Sequence, residues 1–297
     1  MHSVSEWRID VVCEYKSLLA EGPVWDYKRG VICWIDILNG CIYEYSPGHQ
    51  SSKKTQLEQM IGSFALCTNG NFIAALRNGF AFIDRETGKQ TMITNPEDHL
   101  PNNRFNDGKC DPAGRFWAGT MSLSEDPGAG SLYVLEKNLT CTKKISGVTI
   151  SNGMSWSPDR KTFYYTDTPT LKVAVFDYDE FTGAISNRRT IIRIDEKDGY
   201  PDGMTIDSEG MLWIAHWNGW QITRWNPDTG VKLLSVKLPV AKVTSCTFGG
   251  LNADDLYITS AKVDLTKQEL REQPLAGSVF VIKKSGFKGL PLFEFKV

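Results

Sequence analysis

A turn followed by an aromatic-rich strand recurs six times along this 297-residue chain, and a repeat at fixed spacing constrains a fold more than any local propensity. The copies are Trp25–Asp36 (WDYKRGVICWID), Cys67–Leu76 (CTNGNFIAAL), Cys110–Thr120 (CDPAGRFWAGT), Trp156–Asp167 (WSPDRKTFYYTD), Ile206–His216 (IDSEGMLWIAH) and Gly249–Ser260 (GGLNADDLYITS). In each, an Asp/Asn/Gly/Pro-rich turn joins two short runs of aromatic and β-branched residues, as a hairpin requires. A third strand follows, usually led by glycine, and several units continue through another turn into a charged outer strand. The first residues of successive copies lie 42, 43, 46, 50 and 43 apart, close to the length of a four-stranded propeller blade. The pattern predicts an all-β six-bladed β-propeller of four-stranded blades, with residues 1–297 as one domain. Residues 6–16 read as a strand placed to complete the last blade and close the ring, which removes the exposed sheet edge. The clearest helix signal is a capping box between Thr266 and Glu269, expected as a short surface turn. Residues 94–103 and 122–130 are long enough to cover a site.

The bulk properties exclude several classes of function. A formal charge of −2, with no Lys/Arg block that could track a phosphate backbone, argues against a nucleic-acid partner. No run approaches transmembrane length, and residues 1–16 have neither a signal-peptide core nor a transit-peptide composition. Seven cysteines form an odd set without a CxxC pair, the pattern of reduced, buried thiols in a cytoplasmic protein. No GxSxG or Cys–His signature indicates a covalent nucleophile. His216 reads as a strand histidine facing a neighbouring blade rather than a ligand or base.

The innermost strands of a propeller line its channel, so a residue type repeated at one place in every unit is informative. Four residues before each copy stand Glu21, Ser63, Asn106, Asn152, Asp202 and Ser245, all bearing oxygen and none apolar. Equivalent positions converge on the axis, so the six side chains are expected to face one another. Two buried carboxylates in one cavity repel and are costly to desolvate. A divalent cation balances Glu21 and Asp202, and Asn152 adds a carboxamide oxygen; that donor set suits Ca²⁺, Mg²⁺ or Mn²⁺ and is acceptable to Zn²⁺. Glycine follows directly at Gly22, Gly153 and Gly203, which marks these three positions for close backbone approach. Water alone also satisfies many propeller channels. Arg104 lies two residues before Asn106 and shares its side of an extended strand; it is read either as a substrate contact or as half of a surface salt bridge.

Ala20–Asp26 (AEGPVWD), Asn103–Met121 (NRFNDGKCDPAGRFWAGTM), Ser151–Asp159 (SNGMSWSPD), Ile185–Arg189 (ISNRR), Tyr200–Asp207 (YPDGMTID) and Thr244–Gly250 (TSCTFGG) together resemble the regucalcin/gluconolactonase family, also called the senescence-marker-protein family. The resemblance covers nearly the whole chain. It implies a six-bladed propeller with one catalytic divalent metal, Ca²⁺ or Zn²⁺ foremost, held at Glu21, Asn152 and Asp202, with Arg104 and Asn106 holding sugar hydroxyls. Some animal members place a substrate-binding carboxylate in the loop after the GTM sequence; here Ser124 stands at that place, with Glu125 next to it.

The expected activity is hydrolysis of sugar lactones such as gluconolactone to aldonic acids, with Asp202 as general base and the metal as Lewis acid. Two alternatives use the same site: a cytosolic calcium-binding regulator, and a hydrolase of phosphotriesters or other cyclic esters.

Overall fold

The computed structural model describes residues 7–297. Among the described residues twenty-four strands form six antiparallel four-stranded sheets, each built from consecutive strands except the last. Blade 1 begins with the inner strand Ala20–Asp26, blade 2 with Ile61–Leu66, blade 3 with Asn103–Cys110, blade 4 with Ser151–Trp156, blade 5 with Tyr200–Ile206 and blade 6 with Val243–Gly249. The expected all-β six-bladed propeller is the observed fold. Ring closure also follows expectation: Ile9–Val11 pairs with Phe280–Ile282 as the outermost strand of blade 6. Glu6, the first residue of that expected strand, lies outside the described residues.

Composition dictates radial order. Inner strands such as Ser151–Trp156 are buried throughout, whereas the outer strand Ser51–Gln56 (SSKKTQ) is mostly exposed. Trp34, Trp117 and Trp213 occupy the second strand of their blades and are fully buried. Trp117 packs against Trp156 and Phe163 of the next blade, so the interface of blades 3 and 4 is an aromatic seam, whereas blades 1 and 2 meet through aliphatic residues such as Ile35, Ile42 and Ile61. The turn aspartates that punctuate the repeat serve both elements. Asp111 accepts from the backbone of Ala113 and Arg115 through Oδ1 and from Trp117 Nε1 through Oδ2; Asp207 does the same for Glu209, Met211 and Trp213.

The helix Lys267–Glu272 carries both bonds of the expected capping box. The last residues cross the pole where the inner strands end: Asp207 bridges Gly289 and Cys67 bridges Phe295. All seven cysteines are free, and among the described residues no helix is long and apolar enough to cross a membrane.

Candidate active site

Every inner strand carries a β-bulge near the pole where it begins. Pairing slips between Glu21 and Val24, Ile61 and Ser63, Phe105 and Gly108, Asn152 and Met154, Pro201 and Met204, and Val243 and Ser245. A bulge re-aims the side chains around it, and the six polar positions fall on different sides of theirs. Glu21 and Asn152 precede the slip, Asn106 and Asp202 lie within it, and Ser63 and Ser245 follow it. The result is not six-fold. A cavity of about 510 Å³ at this pole is lined by Glu21, Arg104, Asn106, Asn152 and Asp202, but by neither serine. Ser245 lines a second cavity on the far side of the channel, and the Ser63 hydroxyl is buried without a partner. The expected ring of six facing side chains is thus corrected to four.

Close packing near the axis explains Gly153 and Gly203. A Cβ on Gly153 would come within 2.5 Å of the Asp202 carbonyl oxygen, so Asn152 must be followed by glycine if blade 5 is to approach. Gly22 instead supplies a φ of +53°, a conformation that other residues rarely adopt. Its N–H donates to Glu21 Oε2 at 2.7 Å, fixing that carboxylate.

Asn152 is oriented from a loop. Its Nδ2 donates to Thr168 Oγ1 at 3.0 Å, and Thr168 donates to the Pro201 carbonyl at 2.8 Å. One amide N–H is thereby held, the nitrogen also serves Asp202, where it opposes the rise in pKa that burial causes, and Oδ1 is left as an acceptor.

Burial pushes the Glu21 carboxyl well above the usual carboxylate range, and the charges of Asp202 and Asp107 push it further. Asp202 is raised by burial and then by Asp107. Among the described residues neither acid has a Lys, Arg or His partner at ion-pair distance; the buried ion pairs lie elsewhere, at Arg85, Arg115 and Arg224. No cluster of three or more His, Cys, Asp or Glu poised to hold a metal occurs among the described residues, so the candidate centre consists of two carboxylates and an amide oxygen. That set fits a hard divalent cation, which would relieve the repulsion that raises both acids.

Arg104 is only 7% exposed, which removes the surface salt-bridge reading. Its Nη1 donates to Asn106 Oδ1 at 2.8 Å and to the Phe105 carbonyl at 3.0 Å. Desolvation lowers its pKa to about 10, so it remains a cation at neutral pH facing the cavity.

Of the two segments expected to cover a site, residues 122–130 do so: Leu123 and Glu125 line the cavity and Ser124 does not. Residues 94–103 instead border a separate surface cavity and are anchored by buried Glu97, which accepts from Asn103, Thr120 and Tyr133. His216 faces Thr223 Oγ1 at 2.6 Å and is fully buried away from the cavity.

Three residues near the centre escaped the sequence reading. Thr168 gave no signal. Asp107 did: Asp107-Gly108 repeats the acid–glycine pairs of Glu21-Gly22 and Asp202-Gly203, and its Oδ1 likewise accepts from the following glycine N–H, at 2.7 Å. Lys109, on the same strand, projects into the channel.

Residues 19–262 match the family described as SMP-30/gluconolactonase/LRE-like region. The chain belongs to this family. Within it, the chain is 39% identical to regucalcin of Xenopus laevis over 292 residues, which is 97% of this chain and 98% of that protein. Among solved structures of similar proteins, a luciferin-regenerating enzyme superposes with TM-score 0.92 at 32% identity, covering 98% of this chain and 100% of the other. Regucalcin of Agrobacterium tumefaciens, described as a calcium-binding protein, superposes with TM-score 0.93 at 28% identity and 98% coverage of both chains. The SMP-30/gluconolactonase resemblance seen in the motifs is therefore borne out along the chain.

Proposed function

We propose that this protein is a metal-dependent lactonase that opens aldonolactones to aldonic acids. The observation that carries the reading is the convergence, in one cavity, of two buried carboxylates without cationic partners, an amide oxygen aimed by Thr168, and the Arg104–Asn106 pair. A divalent cation, Ca²⁺ or Zn²⁺ foremost and Mg²⁺ or Mn²⁺ also compatible, would be held by Glu21, Asn152 and Asp202 and would polarise the lactone carbonyl. Arg104 and Asn106 orient the ring by hydrogen bonds to its hydroxyl groups. Asp202, on the cavity wall beside the proposed ion, takes the proton of the attacking water. The water oxygen bonds to the carbonyl carbon, the ring C–O bond breaks, and the ring oxygen leaves as a hydroxyl, giving the hydroxy acid. Glu125, at the cavity wall, supplies a further acceptor for the substrate. The seven unpaired cysteines favour a reducing, cytoplasmic setting.

The test is turnover of a panel of aldonolactones by chelator-treated protein reloaded separately with Ca²⁺, Zn²⁺, Mg²⁺ and Mn²⁺. Activity that is lost on chelation and restored by a divalent ion is expected. Full activity after exhaustive metal removal, or no lactone turnover with any ion, would overturn the reading. A second reading, a calcium-binding regulator, draws on the description of the Agrobacterium relative; tight calcium binding without turnover of any lactone or phosphotriester would favour it.

A further inference from the structure

Lys109 lies on the inner strand of blade 3, and its Nζ donates to the Met204 carbonyl of blade 5 at 2.7 Å. Blades 3 and 5 are not neighbours, because the inner strand of blade 4 stands between them in the ring. The side chain therefore crosses the channel instead of lying in a blade interface. It borders a cavity of about 470 Å³ behind the candidate active site, together with Gly22 of blade 1, Asp107, Met204, and Ser245 of blade 6. It also borders a smaller cavity beside Ser155 and Trp156 of blade 4. Gly22 adjoins Glu21 and Met204 is two residues beyond Asp202, so this cavity backs onto the strand segments that carry the two carboxylates.

Nothing in its packing makes this position favourable for a cation. Burial lowers the Lys109 pKa, while the charges of Asp107 and, more weakly, Glu21 raise it again. Its only hydrogen bond is to a carbonyl, which a neutral donor could serve equally. What the position does offer is the field of Asp107 and, more weakly, of Glu21. Arg104 lines the front cavity and Lys109 the one behind it, so removing Lys109 deprives Glu21 and Asp107 of a counter-charge that Arg104 does not replace from that side.

We propose that Lys109 is a positioning residue, a resident counter-charge on the propeller axis that supports the metal-free fold and restrains the affinity of Glu21, Asn152 and Asp202 for their cation. The inference rests on reading those three residues as a divalent-ion site. A cation bound there is attracted by the carboxylates and repelled by the ammonium behind them, so removing the ammonium strengthens binding and weakens the empty protein.

The test uses full-length Lys109→Met, Lys109→Gln and Lys109→Arg, with Mn²⁺ and Ca²⁺ affinity measured by chelator competition and Tm recorded with and without metal. Both neutral variants should bind the ion at least tenfold tighter, on the order of 1.4 kcal/mol, and show a wider gap between metal-free and loaded Tm. Lys109→Arg should stay near the native values. Unchanged or weaker affinity in a folded neutral variant would overturn the proposal, as would loss of stability in Lys109→Met alone, since Gln retains a donor for the Met204 carbonyl. Should neither neutral variant fold, Lys109→Met combined with Asp107→Asn restores the charge balance and is expected to fold; its failure would overturn the proposal. If the native protein binds neither ion, the metal-site reading fails first; if it binds and the neutral variants match it, only the role of Lys109 fails.

Discussion

The Arg104 guanidinium donates to Asn106 Oδ1 across 2.8 Å, and Asn106 donates in turn to the Ser151 carbonyl of the next blade, also at 2.8 Å. The amide thus has both ends engaged and aims the one cation that, among the described residues, lines the candidate site. Asn106→Ala should leave Arg104 buried but free to rotate. A misplacement of about 1 Å costs on the order of a hundredfold in rate, so kcat/KM for an aldonolactone should fall about 10- to 100-fold. Metal affinity should change less than about threefold, because Asn106 is not among the proposed ligands. Steady-state kinetics beside a metal titration separates the two; equal losses in both would place Asn106 in the metal centre instead.

Thr168 offers a second way to separate orientation from ligation. Its hydroxyl accepts from Asn152 and donates to the Pro201 carbonyl. Thr168→Val keeps the shape and removes both bonds, freeing the Asn152 amide to turn its nitrogen toward the axis. Partners of this kind are typically worth 10- to 100-fold in metal affinity, and about a tenfold loss is expected by competition with a chelator. Affinity unchanged in the folded variant would show that Asn152 needs no such support.

What the sequence revealed and what it hid divide along the bulges. Glu21, Asn152 and Asp202 were legible because a polar residue recurs at one spacing with a glycine after it, demanded by crowding at Gly153 and Gly203 and by a positive φ at Gly22. The same spacing also selected Ser63 and Ser245, which lie beyond their bulges and outside the cavity. In blade 3 it selected Asn106, while the acid–glycine pair begins one residue later, at Asp107. A one-residue slip changes where a strand side chain points, and periodicity alone does not report where the slip falls. Thr168 was hidden for another reason. It reaches Asn152 from the loop after the second strand, a contact set by the tertiary fold and by no repeat.

His216 predicts a pH effect on stability. Its ring is fully buried, Nδ1 has no hydrogen-bond partner, and burial lowers its pKa to about 4 from an unfolded value near 6.5. Between those values the unfolded chain binds more protons than the folded one, so stability rises with pH across the window. The penalty is absent above about pH 6.5 and complete below about pH 4. At pH 4.5 it amounts to roughly 2–3 kcal/mol. His216→Gln removes the titrating group, so the drop in Tm between pH 7.5 and 4.5 should shrink by about 3–5 °C. An identical drop in both proteins would show that other groups govern the acid limb.

Arg85 tests how the blades are held together. It follows the third strand of blade 2 yet reaches into blade 1, where Nη1 donates to Asp26 at 2.7 Å and Nε and Nη2 donate to Glu44 Oε2 at 2.8 and 2.6 Å. The guanidinium also lies 4.8 Å from the centre of the Phe72 ring, and the residue is 1% exposed. Such a cluster adds little over a well-packed apolar equivalent, but removing one partner strands the others as buried charges. Arg85→Met should therefore cost roughly 3–5 kcal/mol in chemical denaturation. The two acids are not equally exposed to that loss. Asp26 keeps its turn bonds from the N–H groups of Lys28 and Arg29 through Oδ1, whereas Glu44 Oε1 has no partner even in the native protein. Most of the penalty should accordingly come from Glu44, and Arg85→Met combined with Glu44→Leu should recover more than half of it. A loss below about 1 kcal/mol for the single change, the range of an exposed pair, would mean that water reaches the cluster and that the aliphatic packing of Ile35, Ile42, Ile61 and Leu76 holds blades 1 and 2 together without it.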